Sequence, residues 1–242
     1  MAYTTIDDPT DYFRVKLYAG NATNDTAITW DETDTNMQPD WLWGKSRTDA
    51  QAPWMFDSVR GATLRLLPYS GDDEGTENTN LDSFDTNGFQ VDNEAIVNGA
   101  SRNYVVWGWK AGTSFTNDAS STGIGGVDSA GSFNNAAGFS IVTYNGNAGN
   151  TTVKHGMNVA PKMIIFKRRD ANSTNWYTYH ASLGQGKRLV LNTTAAEAAD
   201  TEYMNNTAPT TSVFSLGPSG TTNTTGNHLA YCFAEIKGYS KF

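Results

Sequence analysis

The chain repeats itself, and this constrains its fold more than any other feature. YFRVKLYAGN at 12–21 matches GFSIVTYNGN at 138–147, pairing Phe13 with Phe139, Tyr18 with Tyr144 and Asn21 with Asn147. PDWLWGKSR at 39–47 matches PKMIIFKRR at 161–169, pairing Pro39 with Pro161, Lys45 with Lys167 and Arg47 with Arg169. WMFDSVRGATLRL at 54–66 matches WYTYHASLGQGKRL at 176–189, aligning Trp54 with Trp176, Ser58 with Ser182 and Arg65 with Arg188. NGFQV matches SVFSL through Phe89 and Phe214, and YVVWGWK matches HLAYCFA, with Trp107 on Tyr231 and Trp109 on Phe233. Five blocks in one order, at an offset of 122–126, imply an internal duplication.

Within each copy, alternating or apolar runs of four to eight residues are separated by turn signals such as AGN, YSGDDEG, TNG, NGN and GPSG. That spacing belongs to short antiparallel strands. A hydrophobic share of 38% allows a packed core, while 17% charged residues leave a surface of neutral polar groups. Only AAEAADTEYM at 195–204 suggests a short helix. The expected fold is all-β: two tandem, internally duplicated β-sandwich (jelly-roll or lectin-like) domains at 12–112 and 138–242. A Gly/Ser/Asn-rich linker at 113–137, with at most one weak strand, would join them, and an amino-terminal arm at 1–11 would serve for attachment. The rival arrangement is one pseudo-symmetric sandwich in which both copies share a core.

The net charge of −8 argues against nucleic-acid binding by bulk electrostatics. Residues 1–112 carry −10 and residues 138–242 carry +4, a polarity that would favour head-to-tail contact between an acidic first half and a basic second half; the alternative, which weighs more, is that both are solvated surfaces. The single cysteine, Cys232, excludes an intrachain disulfide and reads as a small buried hydrophobe. The amino terminus lacks the pattern of a secretory signal, and no apolar run approaches the ~20 residues of a membrane span. Membrane insertion is therefore not expected.

Chemistry-bearing patterns are sparse. The three histidines, His155, His180 and His228, fall outside zinc-ligand spacings, and no G-x-S-x-G elbow is present. No catalytic residue, metal or cofactor is expected. Asp57 beside aromatic residues, with Arg60, is the most tempting polar pair for a glycan site; the alternative for both is a salt bridge or turn contact. The tryptophans divide by comparison of the copies. Trp41, Trp43, Trp107 and Trp109 match Met163, Ile165, Tyr231 and Phe233, so bulk rather than a flat indole is kept, as in a core wall. Trp30, in the acidic stretch TWDETD, and Trp54 remain as aromatics for sugar stacking. The candidate ligand-binding residues are thus Trp30, Trp54, Asp57 and Arg60.

PDWLWGK, FDSVRGAT, TNGFQV, YVVWGWKAG, APKMIIFK, LNTTAA, APTTSVFSLG and AYCFAEIKGYSKF, with the amino-terminal YTTIDDPTDYF, resemble a repeat of tailed-bacteriophage virion proteins, particularly those of marine phages. The resemblance covers nearly the whole chain and brings no catalytic residues with it. It implies a non-enzymatic structural protein of the virion, made in the host cytoplasm and built into a fibre or other appendage. Its expected partners are other virion proteins of tail or capsid and further copies of itself, trimeric in a fibre. The alternative is a lectin-like module that binds a host surface glycan, with a polysaccharide depolymerase as the remaining enzymatic option.

Overall fold

Runs of β-branched and aromatic residues alternating with polar ones favour pleated strands, and most such runs in this chain form them. The computed structural model describes residues 4–242 and resolves them into two units. The first unit comprises Asp8–Tyr69 and Glu74–Gly112; the second comprises Ser70–Asp73 and Thr113–Phe242, with residues 4–7.

Nine strands build the first unit. They are β1 (Phe13–Ala19), β2 (Thr26–Thr29), β3 (Trp41–Ser46), β4 (Trp54–Asp57), β5 (Gly61–Leu66), β6 (Gly75–Thr76), β7 (Leu81–Asp85), β8 (Gly88–Val91) and β9 (Asn103–Trp109). The larger sheet runs β1-β9-β3-β4-β5-β6 and the smaller β2-β8-β7, both antiparallel and open. Ten strands build the second unit. They are β10 (Thr113–Asn117), β11 (Ser129–Asn134), β12 (Phe139–Gly146), β13 (Thr151–Lys154), β14 (Met163–Arg168), β15 (Tyr177–His180), β16 (Lys187–Val190), β17 (Ala198–Ala199), β18 (Val213–Leu216) and β19 (Gly226–Phe233). Its larger sheet runs β10-β11-β12-β19-β14-β15-β16-β17, and β13 pairs with β18.

With β10 and β11 set aside, the two large sheets share one strand order. The register repeats too: Phe13 and Trp41 flank Trp109 as Phe139 and Met163 flank Phe233. The ladders also correct the alignment of one block. Trp41 faces Asp57 and Met163 faces His180, so the counterpart of Asp57 is His180 and not Ala181. Trp54 faces Gly44 as Tyr177 faces Phe166, so Trp54 corresponds to Tyr177 rather than Trp176.

At that last pair the two units fill equivalent space differently. One fills the space with nothing plus an indole, the other with two medium rings. A Cβ on Gly44 would lie 2.1 Å from the Trp54 ring. Gly44→Ala is therefore expected to destabilise the first unit by about 1–3 kcal/mol, read as a lower denaturant midpoint.

In each unit the core lies between the large and the small sheet. Leu42, Phe56 and Val106 of the first large sheet meet Ile28, Phe89 and Val91 of its small one. Val142, Phe166 and Ala230 meet Val153, Phe214 and Leu216 in the second unit, where Cys232 is also fully buried.

Several sequence expectations are overturned. Residues 113–137 are not a linker, because β10 and β11 extend the second sheet beyond β12, with α1 (Ala119–Thr122) between them. Residues 195–204 form no helix. Ala198–Ala199 instead pair with Arg188 and Lys187, and Tyr203 and Met204 bury in the core. The stretch 1–11 is no free arm over its described part: Ile6 is buried and Pro9–Asp11 form a 3₁₀ turn capped by Asp8, while residues 1–3 lie outside the described residues. The charge polarity also shrinks, since Asp7, Asp72, Asp73, Asp118 and Asp128 belong to the second unit, whose net charge becomes −1 against −7 for the first.

Candidate functional site

The four residues picked from sequence are all structural. Trp30 and Trp54 are buried in the first core, their indole N–H groups donating to the carbonyls of Met37 and Ile96 at 2.8 and 3.1 Å. Neither can stack on a sugar. Asp57 and the Arg60 guanidinium are fully enclosed: Arg60 Nε donates to Asp57 Oδ2 at 2.5 Å, and Nη1 donates to Glu74 Oε2 at 2.7 Å and to Leu64 O at 2.9 Å. This is a buried ion triad with no surface to offer a glycan.

Trp41 is buried, as its match with a second-copy apolar residue led one to expect, but Trp43, Trp107 and Trp109 are not enclosed in the core between the sheets. On β3 the residues that enter the core are Leu42 and Gly44, so period-two alternation sends Trp41, Trp43 and Lys45 to the other face of the sheet. Trp107 and Trp109 join them through the β3–β9 register, with the Trp41 and Trp109 rings 4.4 Å apart. Trp41 is buried, whereas Trp43, Trp107 and Trp109 are half-buried. Beside them on β1, Val15 is 40% exposed and Leu17 is 54% exposed.

Among the described residues, β1 also ends its sheet. Tyr12 and Gly20 bond backbone to backbone toward the β9 side, so residues of that parity are used up there. Phe13, Val15, Leu17 and Ala19 consequently aim their N–H and C=O groups away from β9. In the second unit the equivalent strand, β12, is closed on that side by β11.

A polar cleft of about 460 Å³ lies on the second unit's large sheet. Asn145 faces Asn227 across the β12–β19 ladder, and Arg169 N donates to Asn227 O at 2.8 Å. Ser129–Tyr144 and Asn117–Ser129 are the terminal pairs of their ladders, so one step further brings Asp128 beside Asn145 and Asp118 beside Asp128. The result is a row across five strands, Arg169, Asn227, Asn145, Asp128 and Asp118, spanning about 19 Å at ~4.8 Å per strand. Hydrogen bonds from Ser120 and Ser121 hold the Asp118 carboxyl below the usual carboxylate range, so it stays ionised at neutral pH. Asp128 Oδ1 accepts from Ala119 N at 2.8 Å.

The first unit has a smaller recess at the same place. It measures about 190 Å³ and is bordered by Leu17, Ala19, Arg47 and Asn103, with Arg47 N donating to Asn103 O at 2.7 Å. The Arg–Asn pair is thus common to both units, while the acidic end of the row exists only where β10 and β11 are present. Sequence comparison found Arg47 and Arg169 but missed Asn103 and Asn227, which stand one residue outside a matched block. Asp118 and Asp128 were lost inside the presumed linker. Among the described residues, no group of three or more His, Cys, Asp or Glu could hold a metal ion.

The model of one protein family, described as a domain of unknown function (DUF7483), matches residues 8–242. The chain belongs to this family. The DUF7483 match runs through both units, so the doubled arrangement lies within a single family domain. No curated protein and no solved structure matches the chain.

Proposed function

We propose that the protein is a non-enzymatic structural component of a tailed-phage particle, part of a fibre or other appendage that assembles with copies of itself and with other virion proteins. Each unit is read as a jelly-roll-like β-sandwich, the pair arising by duplication. The resemblance of its sequence blocks to virion repeats supports the particle, and the edge of β1 supports assembly. That edge is the observation that carries the reading. Among the described residues it offers backbone groups with no strand beside them, next to exposed Val15 and Leu17, at the position that the second unit closes with its own β11. Open apolar edges invite strand addition, and a second copy is the partner assigned here.

The test is the oligomeric state by light scattering, followed by localisation in intact particles. The parent chain is expected to self-associate, and Leu17→Glu to weaken that association at least tenfold, about 1.4 kcal/mol. A parent chain that stays monomeric and fails to co-purify with particles would overturn the reading. A second reading, recognition of a host glycan, is favoured by the polar cleft of the second unit.

A further inference from the structure

We propose that the row Arg169, Asn227, Asn145, Asp128 and Asp118 binds a neutral, hydroxyl-rich glycan segment. The inference gives the glycan reading a site and a ligand class, and it stands apart from assembly at β1. The cleft's size, about 460 Å³, falls in the range of small-ligand sites. The residues that line it bear polar side chains except Ala130, the one aliphatic residue, and the Tyr144 ring turns inward, where its hydroxyl bonds Thr222 O at 2.7 Å.

The order of groups along the row selects the ligand. A guanidinium only donates hydrogen bonds, a carboxylate only accepts them, and carboxamides do both. A ligand spanning the row must accept at the Arg169 end and donate at the Asp118 end. Sugar hydroxyls do either, according to how they rotate. A uronic acid would suit Arg169 but meets two carboxylates further on; a cationic ligand meets the reverse conflict. Peptides anchor by burying apolar side chains in sockets, and this wall supplies none. The Arg–Asn pair recurs in the first unit without the acidic end, so β10 and β11 turn a shared recess into a graded site.

The experiment probes an array of neutral and uronate-containing oligosaccharides with the full chain, then measures the best neutral ligand by calorimetry. Neutral glycans are expected to bind and uronates to be excluded. Asn145→Ala and Asn227→Ala should each weaken binding tenfold or more. Both side chains are exposed, so thermal melts of these variants should match the parent. Binding to no neutral glycan, preference for uronates, or affinity unchanged in both variants would overturn the proposal. Loss of binding on Arg47→Ala with the asparagine variants intact would move the site to the first unit and overturn it equally. Because these outcomes are read on the soluble chain, they are independent of whether Leu17→Glu alters assembly.

Discussion

Arg60→Ala is expected to destabilise the first unit by about 3–5 kcal/mol, a large part of the 5–15 kcal/mol that holds a typical domain together. The reason is the enclosure of the triad. The Arg60 guanidinium and the Asp57 carboxylate have no solvent-exposed side-chain surface, and that of Glu74 is 12% exposed. Removing the cation leaves two carboxylates in a low-dielectric setting with their charges uncompensated. Tryptophan fluorescence during urea unfolding reads this directly, since six of the seven tryptophans lie in the first unit. With a slope near 2 kcal/mol per molar, the midpoint should fall by about 2 M. The pair substitution Asp57→Leu with Arg60→Met should recover part of the loss, because the charges then leave together. A midpoint within a few tenths molar of the parent after Arg60→Ala would show that the triad contributes nothing.

Acidification is expected to loosen the second unit first. All three histidines lie there, and two are fully buried. Burial lowers the His155 imidazole from 6.5 to about 4 against a bond with Thr210 O, and burial likewise lowers His228, stacked on Tyr144, to about 4. Between pH 4 and 6.5 the unfolded chain therefore binds more protons than the native one, and stability falls as pH falls. It is flat above about 6.5 and this contribution is lost below about 4. Each histidine accounts for about 3 kcal/mol over that window. Hydrogen exchange at pH 7 and pH 4.5 should show protection lost across β12, β18 and β19 while β3 and β9 keep theirs. Equal loss in both units, or none in this window, would contradict the assignment. His155→Gln should remove roughly half of the slope.

Much of the fold was legible because blocks matched in sequence constrain register as well as content. Phe13, Phe139, Arg47 and Arg169 were aligned correctly, and the ladders place them in equivalent positions. The site was not legible, for two physical reasons. Bulk kept at Trp41/Met163 and Trp43/Ile165 marks an apolar face, on which Trp41 and Ile165 are buried and Trp43 and Met163 only partly so; alternation with Leu42 decides which face that is. Gly, Ser and Asn in 113–137 suggest a linker, yet weak strand formers are tolerated where a strong neighbour such as β12 supplies the template for β11, and β11 in turn for the edge strand β10. Trp30, alone in an acidic stretch, gave no sign that it buries its ring over Gly108.

The excursion of Ser70–Asp73 into the second unit has a hereditary consequence. The chain passes between the units four times, so no single break yields two complete halves. A fragment beginning at Thr113 would keep the buried Lys167 ammonium and the Trp176 indole but lose the Gly71 and Ser70 carbonyls to which they donate at 3.2 and 3.1 Å. Crossovers in gene exchange at the visible joint would therefore deliver a damaged module. The second unit is therefore complete only in a chain that also carries residues 70–73.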